Sequence, residues 1–160
     1  MEDVHIDGCE VTFLYKGTCQ EAAHLRKRIQ DDIYNYAIEK VVFFENSSGE
    51  TAESLALKFG LLIIDQAFIT DGHLNVQGPK MVMTDEITGI KSVHNMPIVY
   101  LRENTVLKCD FILDKKCGKN HQKYNPVSAV RFIKFENQFK FYLELTGALT
   151  FDEIRLQLNI

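Results

Sequence analysis

One segment near the end of the chain restricts the possible fold more than any other. Between Phe139 and Leu145, apolar side chains alternate with more polar ones, which predicts a strand with one buried face. The stretch from Val130 to Glu136 predicts its antiparallel partner, joined through Asn137-Gln138. We therefore expect a hairpin whose apolar face is covered by another layer of the domain.

Two helices are predicted by capping boxes, in which an N-cap hydroxyl precedes a glutamate by three residues. The first box, Thr18-Cys19-Gln20-Glu21, starts a helix expected to end at about Tyr34. The second box, Thr150-Phe151-Asp152-Glu153, starts a helix expected to run to the end of the chain. On the first helix, apolar residues recur at spacings of three and four and share one face: Ala22, Leu25, Ile29 and Ile33.

The remaining segments predict strands, one short helix and turns. The strands are Val11 to Tyr15, Ala37 to Glu45, Pro97 to Leu101 and Val106 to Leu113, with further short strands after Leu61. A short helix is expected from Thr51 to Phe59, with Gly60 as its C-terminal cap. Turn signals are Asn46 to Gly49, Asp71-Gly72, Gly78-Pro79 and Thr88-Gly89. Residues Lys115 to Pro126 are expected to form a polar loop.

This order of elements predicts an α+β fold. Residues 1–45 and 128–160, the two ends of the chain, are expected to form one layer of four mixed strands with two helices on one face. Residues 46–127 are expected to form a β-rich second domain inserted into that layer.

The composition excludes several classes of protein. A net charge of -4 argues against direct binding of nucleic acid, except through a local patch. The four cysteines show no C-x-x-C spacing, so no zinc ribbon is expected: Cys9, Cys19, Cys109 and Cys117. The acidic N-terminus does not fit a signal peptide, and the longest apolar stretch, Leu61 to Ile64, is too short to cross a membrane. We therefore expect an intracellular protein without membrane contact.

The sequence contains neither the catalytic motif of serine hydrolases nor that of zinc proteases. It also lacks the motifs of phosphate-binding loops and of dinucleotide-binding folds. Cys117 and His121 lie four residues apart and fit either a Cys–His catalytic pair or two metal ligands. A metal site usually needs three or four ligands, so the alternative is a loop cysteine beside a solvated histidine. The adjacent acids Asp85-Glu86 fit general acid–base work or, more commonly, a solvated turn.

One local cluster of positive charge surrounds His121, formed by Lys115, Lys116, Lys119 and Lys123. Such a cluster fits contact with phosphates or with an acidic protein surface. The third reading is a solvated loop, and the residue types alone leave the three readings open.

Three segments together resemble one family. They are HLRKRIQDDIYNYAIEKV at residues 24–41, ENSSGETAESLALKFGLLII at residues 45–64, and GKNHQKYNPVSAV at residues 118–130. In this order they resemble the α-like subunits of cellular RNA polymerases, which comprise bacterial alpha, archaeal D and the eukaryotic third-largest subunit. The third segment is the most specific, because it is similar to the archaeal and eukaryotic pattern G-K-x-H-A-K-W-x-P-V.

The resemblance implies a non-catalytic subunit of a nucleotidyltransferase complex, DNA-directed RNA polymerase. It implies a dimerisation domain built from both chain ends, with a second domain inserted. The implied partners are a smaller α-like subunit, in a heterodimer, and the second-largest and largest polymerase subunits. Nucleic acid would be met only through the complex. The cysteines that bind zinc or an iron–sulfur cluster in some members have no counterpart here, so neither metal nor cofactor is implied.

The resemblance also assigns residues to two contact surfaces. The dimer interface is expected at Ala22, Leu25, Ile29, Ile33, Ile154 and Leu158. The large-subunit contact is expected at Arg26, Lys27, Lys119, His121, Lys123, Tyr124 and Pro126. A helix serving both its own core and a partner would present exposed apolar surface between Ala22 and Ile33.

Several positions depart from the family pattern. His24 replaces the usual asparagine, Tyr34 stands near the usual turn proline, and Ile63 replaces the proline of G-L-I-P. The family's C-terminal helix continues well past the position of Ile160, which leaves the size of the dimer interface open. These departures motivate a second hypothesis, a stand-alone protein-binding module that kept the fold without polymerase membership and behaves as a monomer.

Overall fold

The computed structural model describes the backbone of residues 1–160 and every side chain except that of Phe68. It has three helices and antiparallel sheets, which confirms the α+β class predicted from the sequence. In chain order the elements are β1 (Glu2–Asp7), β2 (Glu10–Tyr15), α1 (Cys19–Asp31), β3 (Tyr34–Asn46), α2 (Ala52–Gly60), β4 (Ile64–Gln77), β5 (Lys80–Met83), β6 (Thr88–Ser92), β7 (Pro97–Leu101), β8 (Val106–Cys117), β9 (Val127–Phe135), β10 (Gln138–Leu145) and α3 (Phe151–Leu158).

The chain divides into two compact units. The first unit comprises residues 1–35 and 116–160, and the second comprises residues 36–115.

Within the described helices, none is long and apolar enough to cross a membrane.

The first unit is built on a four-stranded sheet in the order β1-β2-β10-β9. The predicted hairpin is present, with Phe141 opposite Phe132, but its two-residue turn is Glu136-Asn137 rather than Asn137-Gln138. Strand β2 pairs with β10, so the two ends of the chain share one sheet. The predicted strand from Ala37 to Glu45 does not join this sheet, because β1 takes the outer position beside β2.

Both predicted capping boxes are present in this unit. Thr18 caps α1 through the amide of Glu21, and Thr150 caps α3 through the amide of Glu153. The apolar faces of α1 and α3 cover the apolar face of the sheet and form one core with it. Helix α1 ends at Asp31, earlier than predicted, because the backbone of Tyr34 is bonded to the Gln157 side chain instead of to the helix.

The second unit has a four-stranded sheet in the order β3-β8-β4-β6 and a two-stranded sheet of β5 and β7. Helix α2 supplies Leu55 and Phe59 to a separate apolar core. The predicted strand Pro97–Leu101 is confirmed. Helix α2 includes Gly60 and is capped by Leu61, so the predicted glycine cap is wrong by one residue.

Two predicted turns in this unit are wrong. Asp71-Gly72 lies inside the long strand β4, and Thr88-Gly89 lies inside β6. A Cβ atom at Gly72 would lie 3.1 Å from side-chain atoms of Ile90 and of Phe111, and a Cβ at Gly89 would overlap the carbonyl oxygen of Asp71. The glycines therefore allow neighbouring segments to approach closely rather than reversing the chain.

Candidate protein-contact site at the end of the first helix

The segment from Cys117 to Pro126, here called the basic loop, lies against the C-terminal end of α1 in the first unit. A Cβ atom at Gly118 would overlap the carbonyl oxygen of Gln30, so only glycine fits this close approach. The amide of Lys119 points to the carbonyl oxygen of Asp31 at 3.4 Å. Two segments of the family resemblance, distant in the sequence, therefore meet at this point.

An ion pair closes the junction between the basic loop and α1. The Lys119 ammonium donates a hydrogen bond to the carboxylate of Asp32, the residue that caps α1. This hydrogen bond and the negative charge of Asp32 raise the pKa of the Lys119 amine above its ordinary value. The Lys119 side chain is 59% exposed and that of Asp32 is 36% exposed, so solvent screens the pair and it orients the lysine more than it stabilises the fold.

A tight turn follows in which the side chains of Asn120 and His121 each have a local partner. The carboxamide oxygen of Asn120 accepts bonds from the amide of Cys117 at 3.2 Å and from its thiol at 3.5 Å. The Nδ1 atom of His121 accepts a bond from the amide of Lys123 at 3.1 Å and caps a 3-10 turn over Gln122–Tyr124. Cys117 and His121 thus bind different partners, and no group of three potential metal ligands occurs among the described residues.

The second half of the basic loop is held in the interior, so the predicted polar loop is wrong in this part. Tyr124 is only 1% exposed, and its ring is covered by the amines of Lys116 at 5.7 Å and Lys123 at 5.2 Å from its centroid. The carbonyl oxygen of Pro126 accepts bonds from the amide and hydroxyl of Thr146, at 2.9 and 3.1 Å. The buried carboxamide of Asn125 accepts a bond from the amide of Val127 at 3.0 Å.

The residues expected to contact the large subunits fall into two groups. Arg26, Lys27, Lys119 and His121 are exposed, and neither Arg26 nor Lys27 has a polar side-chain partner among the described residues. Lys123 is half-buried, while Tyr124 and Pro126 are buried and anchor the basic loop in the interior. Arg26, Lys27 and Lys119 are thus exposed cations of the first unit, the type of side chain that suits contact with an acidic partner surface.

The residues expected at a dimer interface are all buried in the core of the first unit: Ala22, Leu25, Ile29, Ile33, Ile154 and Leu158. The expectation of exposed apolar surface between Ala22 and Ile33 is wrong, because the exposed positions in this range carry polar side chains apart from Ala23. On α3 the exposed face does contain one large apolar residue, Leu156, which is 76% exposed.

The chain is similar in sequence to a known archaeal protein over most of its length. The chain is 26% identical to the DNA-directed RNA polymerase subunit Rpo3 of Methanocaldococcus jannaschii over 155 aligned residues. The alignment covers 92% of this chain and 81% of the archaeal protein. The chain is a distant homologue of this archaeal subunit. The resemblance to α-like polymerase subunits is thereby confirmed. No protein-family model matches the chain.

Three residues of the site were missed from the sequence. Gly118 is part of the pattern that carries the resemblance, and Asn120 stands at a position that the pattern leaves unspecified. Their roles depend on contacts with Gln30 and Cys117 that sequence spacing does not show. Asp32 carries the partner charge of Lys119 from a distant part of the chain. Its one sequence signal is an acidic pair, Asp31-Asp32, placed where the helix dipole disfavours negative charge.

Proposed function

We propose that this chain is a non-catalytic assembly subunit of a DNA-dependent RNA polymerase and acts in transcription inside the cell. The observation that carries the proposal is the homology to an archaeal polymerase subunit across most of both chains. The absence of a catalytic motif from the sequence agrees with a scaffolding role.

The chain is proposed to pair with a smaller α-like subunit through the first unit. Helices α1 and α3 pack side by side on one face of the sheet, and together they offer a two-helix surface. Because the apolar faces of both helices are already buried, the six predicted interface residues hold the helices on the core and do not themselves reach the partner. Direct contact would fall on exposed positions of the same helices, with Leu156 as the apolar residue available on α3.

The exposed cations near the end of α1 are proposed to contact acidic surfaces of the second-largest and largest subunits. The rigid basic loop supports this role, because the contacts of Gly118 and Asn120 fix its backbone before any partner binds. Arg26 offers a planar guanidinium for bidentate pairing with a carboxylate, which Lys27 cannot reproduce. Nucleic acid is proposed to be met only through the complex.

Charge reversal tests the proposed contact. The chain is tagged in its native source and purified with its partners, and mass spectrometry measures the recovery of very large polymerase subunits. Arg26→Glu and Lys119→Glu should each lower that recovery, because like charges then face the acidic partner surface. Lys40→Glu is the matched control, since Lys40 is exposed in the second unit. Unchanged recovery with folded Arg26→Glu and Lys119→Glu proteins would refute the contact.

A second candidate function is a stand-alone protein-binding module, and the polar exposed surface of α1 favours it. Such a module would be a monomer at all working concentrations and would purify without polymerase subunits. Light scattering of the purified chain, alone and mixed with a small α-like subunit from the same source, distinguishes the two. Formation of a one-to-one complex supports the assembly subunit, whereas separate monomers support the module.

A further inference from the structure

The outer edge of β9 is an unpaired strand edge. In the sheet order β1-β2-β10-β9, strand β9 has β10 on one side and no further strand on the other. It is nine residues long, and after one bulge at Ser128 its register with β10 is regular from Ala129 to Phe135. Its exposed backbone groups are therefore available to another extended chain.

The hairpin register identifies which backbone groups point outward. Phe135 and Gln138 flank the two-residue turn and form a hydrogen-bonded pair, and such pairs alternate with non-bonded pairs along an antiparallel ladder. The amides and carbonyls of Val130, Phe132 and Lys134 consequently point away from β10. No other backbone or side-chain group among the described residues bonds to them.

The side chains along this edge combine apolar surface with positive charge. On the face opposite the helices, Ile133 and Phe135 are each 46% exposed. On the same face Arg131 stacks over the ring of Tyr142, with its guanidinium carbon 4.6 Å from the ring centroid. Lys134 lies exposed on the other face, opposite Phe139. Strand β9 contains no acidic residue.

We propose that the outer edge of β9 binds an extended acidic and apolar segment of a partner protein as an additional strand. Backbone bonds to Val130, Phe132 and Lys134 would hold the segment. Acidic residues would lie opposite Arg131 and Lys134, with apolar residues opposite Ile133 and Phe135. This surface is separate from the basic loop, and it does not depend on polymerase membership.

The charges argue against a second copy of this chain as the occupant. If two β9 strands paired with each other, Arg131 and Lys134 of each copy would find no acidic residue on the partner strand. Like charges close together across a strand pair are destabilising. An acidic partner satisfies both cations and also suits the apolar side chains between them.

A single substitution that removes one outward backbone amide tests the site. In Lys134→Pro the outward amide is lost, while the bonds between β9 and β10 remain, and proline is tolerated at such edge positions. Lys134→Gln is the matched control, because it removes the same charge but keeps the amide. Both full-length proteins are titrated with a fluorescent peptide of about ten residues, with glutamates placed opposite Arg131 and Lys134 and β-branched residues elsewhere. A second peptide carries lysines in place of the glutamates.

The acidic peptide should bind the unmodified chain saturably, and the basic peptide should bind at least about tenfold more weakly. Lys134→Pro should weaken binding of the acidic peptide by about tenfold or more, and Lys134→Gln by only about threefold. Hydrogen exchange should slow at the amides of Val130, Phe132 and Lys134 when the acidic peptide is added. No saturable binding, equal binding of both peptides, or equal effects of the two substitutions would overturn the proposal.

Two controls keep the test decisive. Circular dichroism and thermal melting check that Lys134→Pro is folded, and if it is not, the double variant Ile133→Glu/Phe135→Glu replaces it with the same expected loss, because it removes the apolar contacts and repels the acidic peptide. Sedimentation of the unmodified chain tests the alternative occupant. Self-association that Lys134→Pro abolishes would identify a second copy as the added strand, and would overturn the acidic partner.

Discussion

Gly118 lies so close to the carbonyl oxygen of Gln30 that no side chain fits between the basic loop and the end of α1. This contact joins two parts of the chain that are far apart in sequence and places Lys119 beside Asp32. The position of the exposed cations proposed to bind a partner therefore depends on a residue that itself contacts no partner.

Gly118→Ala should destabilise the first unit. Its Cβ would overlap a backbone oxygen that cannot move without disturbing α1, and the expected loss in the free energy of unfolding is about 1–3 kcal/mol. Thermal melting measures the change. Gly60→Ala is the control, because its Cβ would meet only the carbonyl oxygen of Ile38 at 3.8 Å, and a helical alanine should be neutral or stabilising. Equal melting temperatures for Gly118→Ala and the unmodified chain would disprove the close contact.

Asp32→Asn should lower the pKa of the Lys119 amine toward its ordinary value. The hydrogen bond to Asp32 and the charge of Asp32 raise this pKa in the folded chain. A raised lysine pKa stabilises the fold at pH values below the unfolded pKa, and this contribution is lost as pH rises through the folded pKa. Titration of Lys119 by NMR measures the shift. An unchanged Lys119 pKa in Asp32→Asn would mean that the ion pair is absent in solution.

Tyr124→Ala should cost about 3–5 kcal/mol of unfolding free energy, because it removes a buried ring and leaves a cavity beneath the basic loop. Denaturant unfolding measures the loss. Leu156→Ala provides the comparison, since a side chain 76% exposed should change stability by no more than about 0.5 kcal/mol. Similar values for the two variants would show that Tyr124 is not part of the core.

Cys109 should resist thiol reagents in the folded chain. Burial and the neighbouring Asp110 charge raise the pKa of its thiol to about 12, so the reactive thiolate is scarce near neutral pH. Cys9 and Cys19 are exposed and should react quickly, while Cys109 should react only after unfolding. Because the unfolded thiol ionises at lower pH, this group also lowers stability as pH rises above the ordinary thiol pKa of 9.0. Fast labelling of Cys109 at neutral pH would contradict its burial.

Local patterns in the sequence predicted some elements well. The capping boxes at Thr18 and Thr150 place both helix starts, because the side chains that satisfy the first amides are close in sequence. The alternation from Phe139 to Leu145 likewise identifies the strand that is buried on one face. These signals involve residues close in sequence, so they can be recognised without knowledge of the tertiary structure.

Other features depend on distant contacts and were missed. Strand β1 was not predicted, because its alternation is short, with only Val4 and Ile6 between polar residues. It is exposed along its length and is held by its pairing with β2. Gly72 lies in a long strand because Ile90 and Phe111 pack against it, which overrides the local turn signal of Asp71-Gly72. At the candidate site, the family motif drew attention to Lys119 and His121. Only the folded chain shows that Tyr124 and Pro126 are interior.

Native mass spectrometry of the assembly that contains the tagged chain, purified from its native source, tests the central claim most directly. The account predicts one copy of this chain with two very large polymerase subunits and one smaller α-like subunit. A mass equal to the chain alone, or an assembly without polymerase subunits, would contradict polymerase membership and leave the stand-alone binding module as the function.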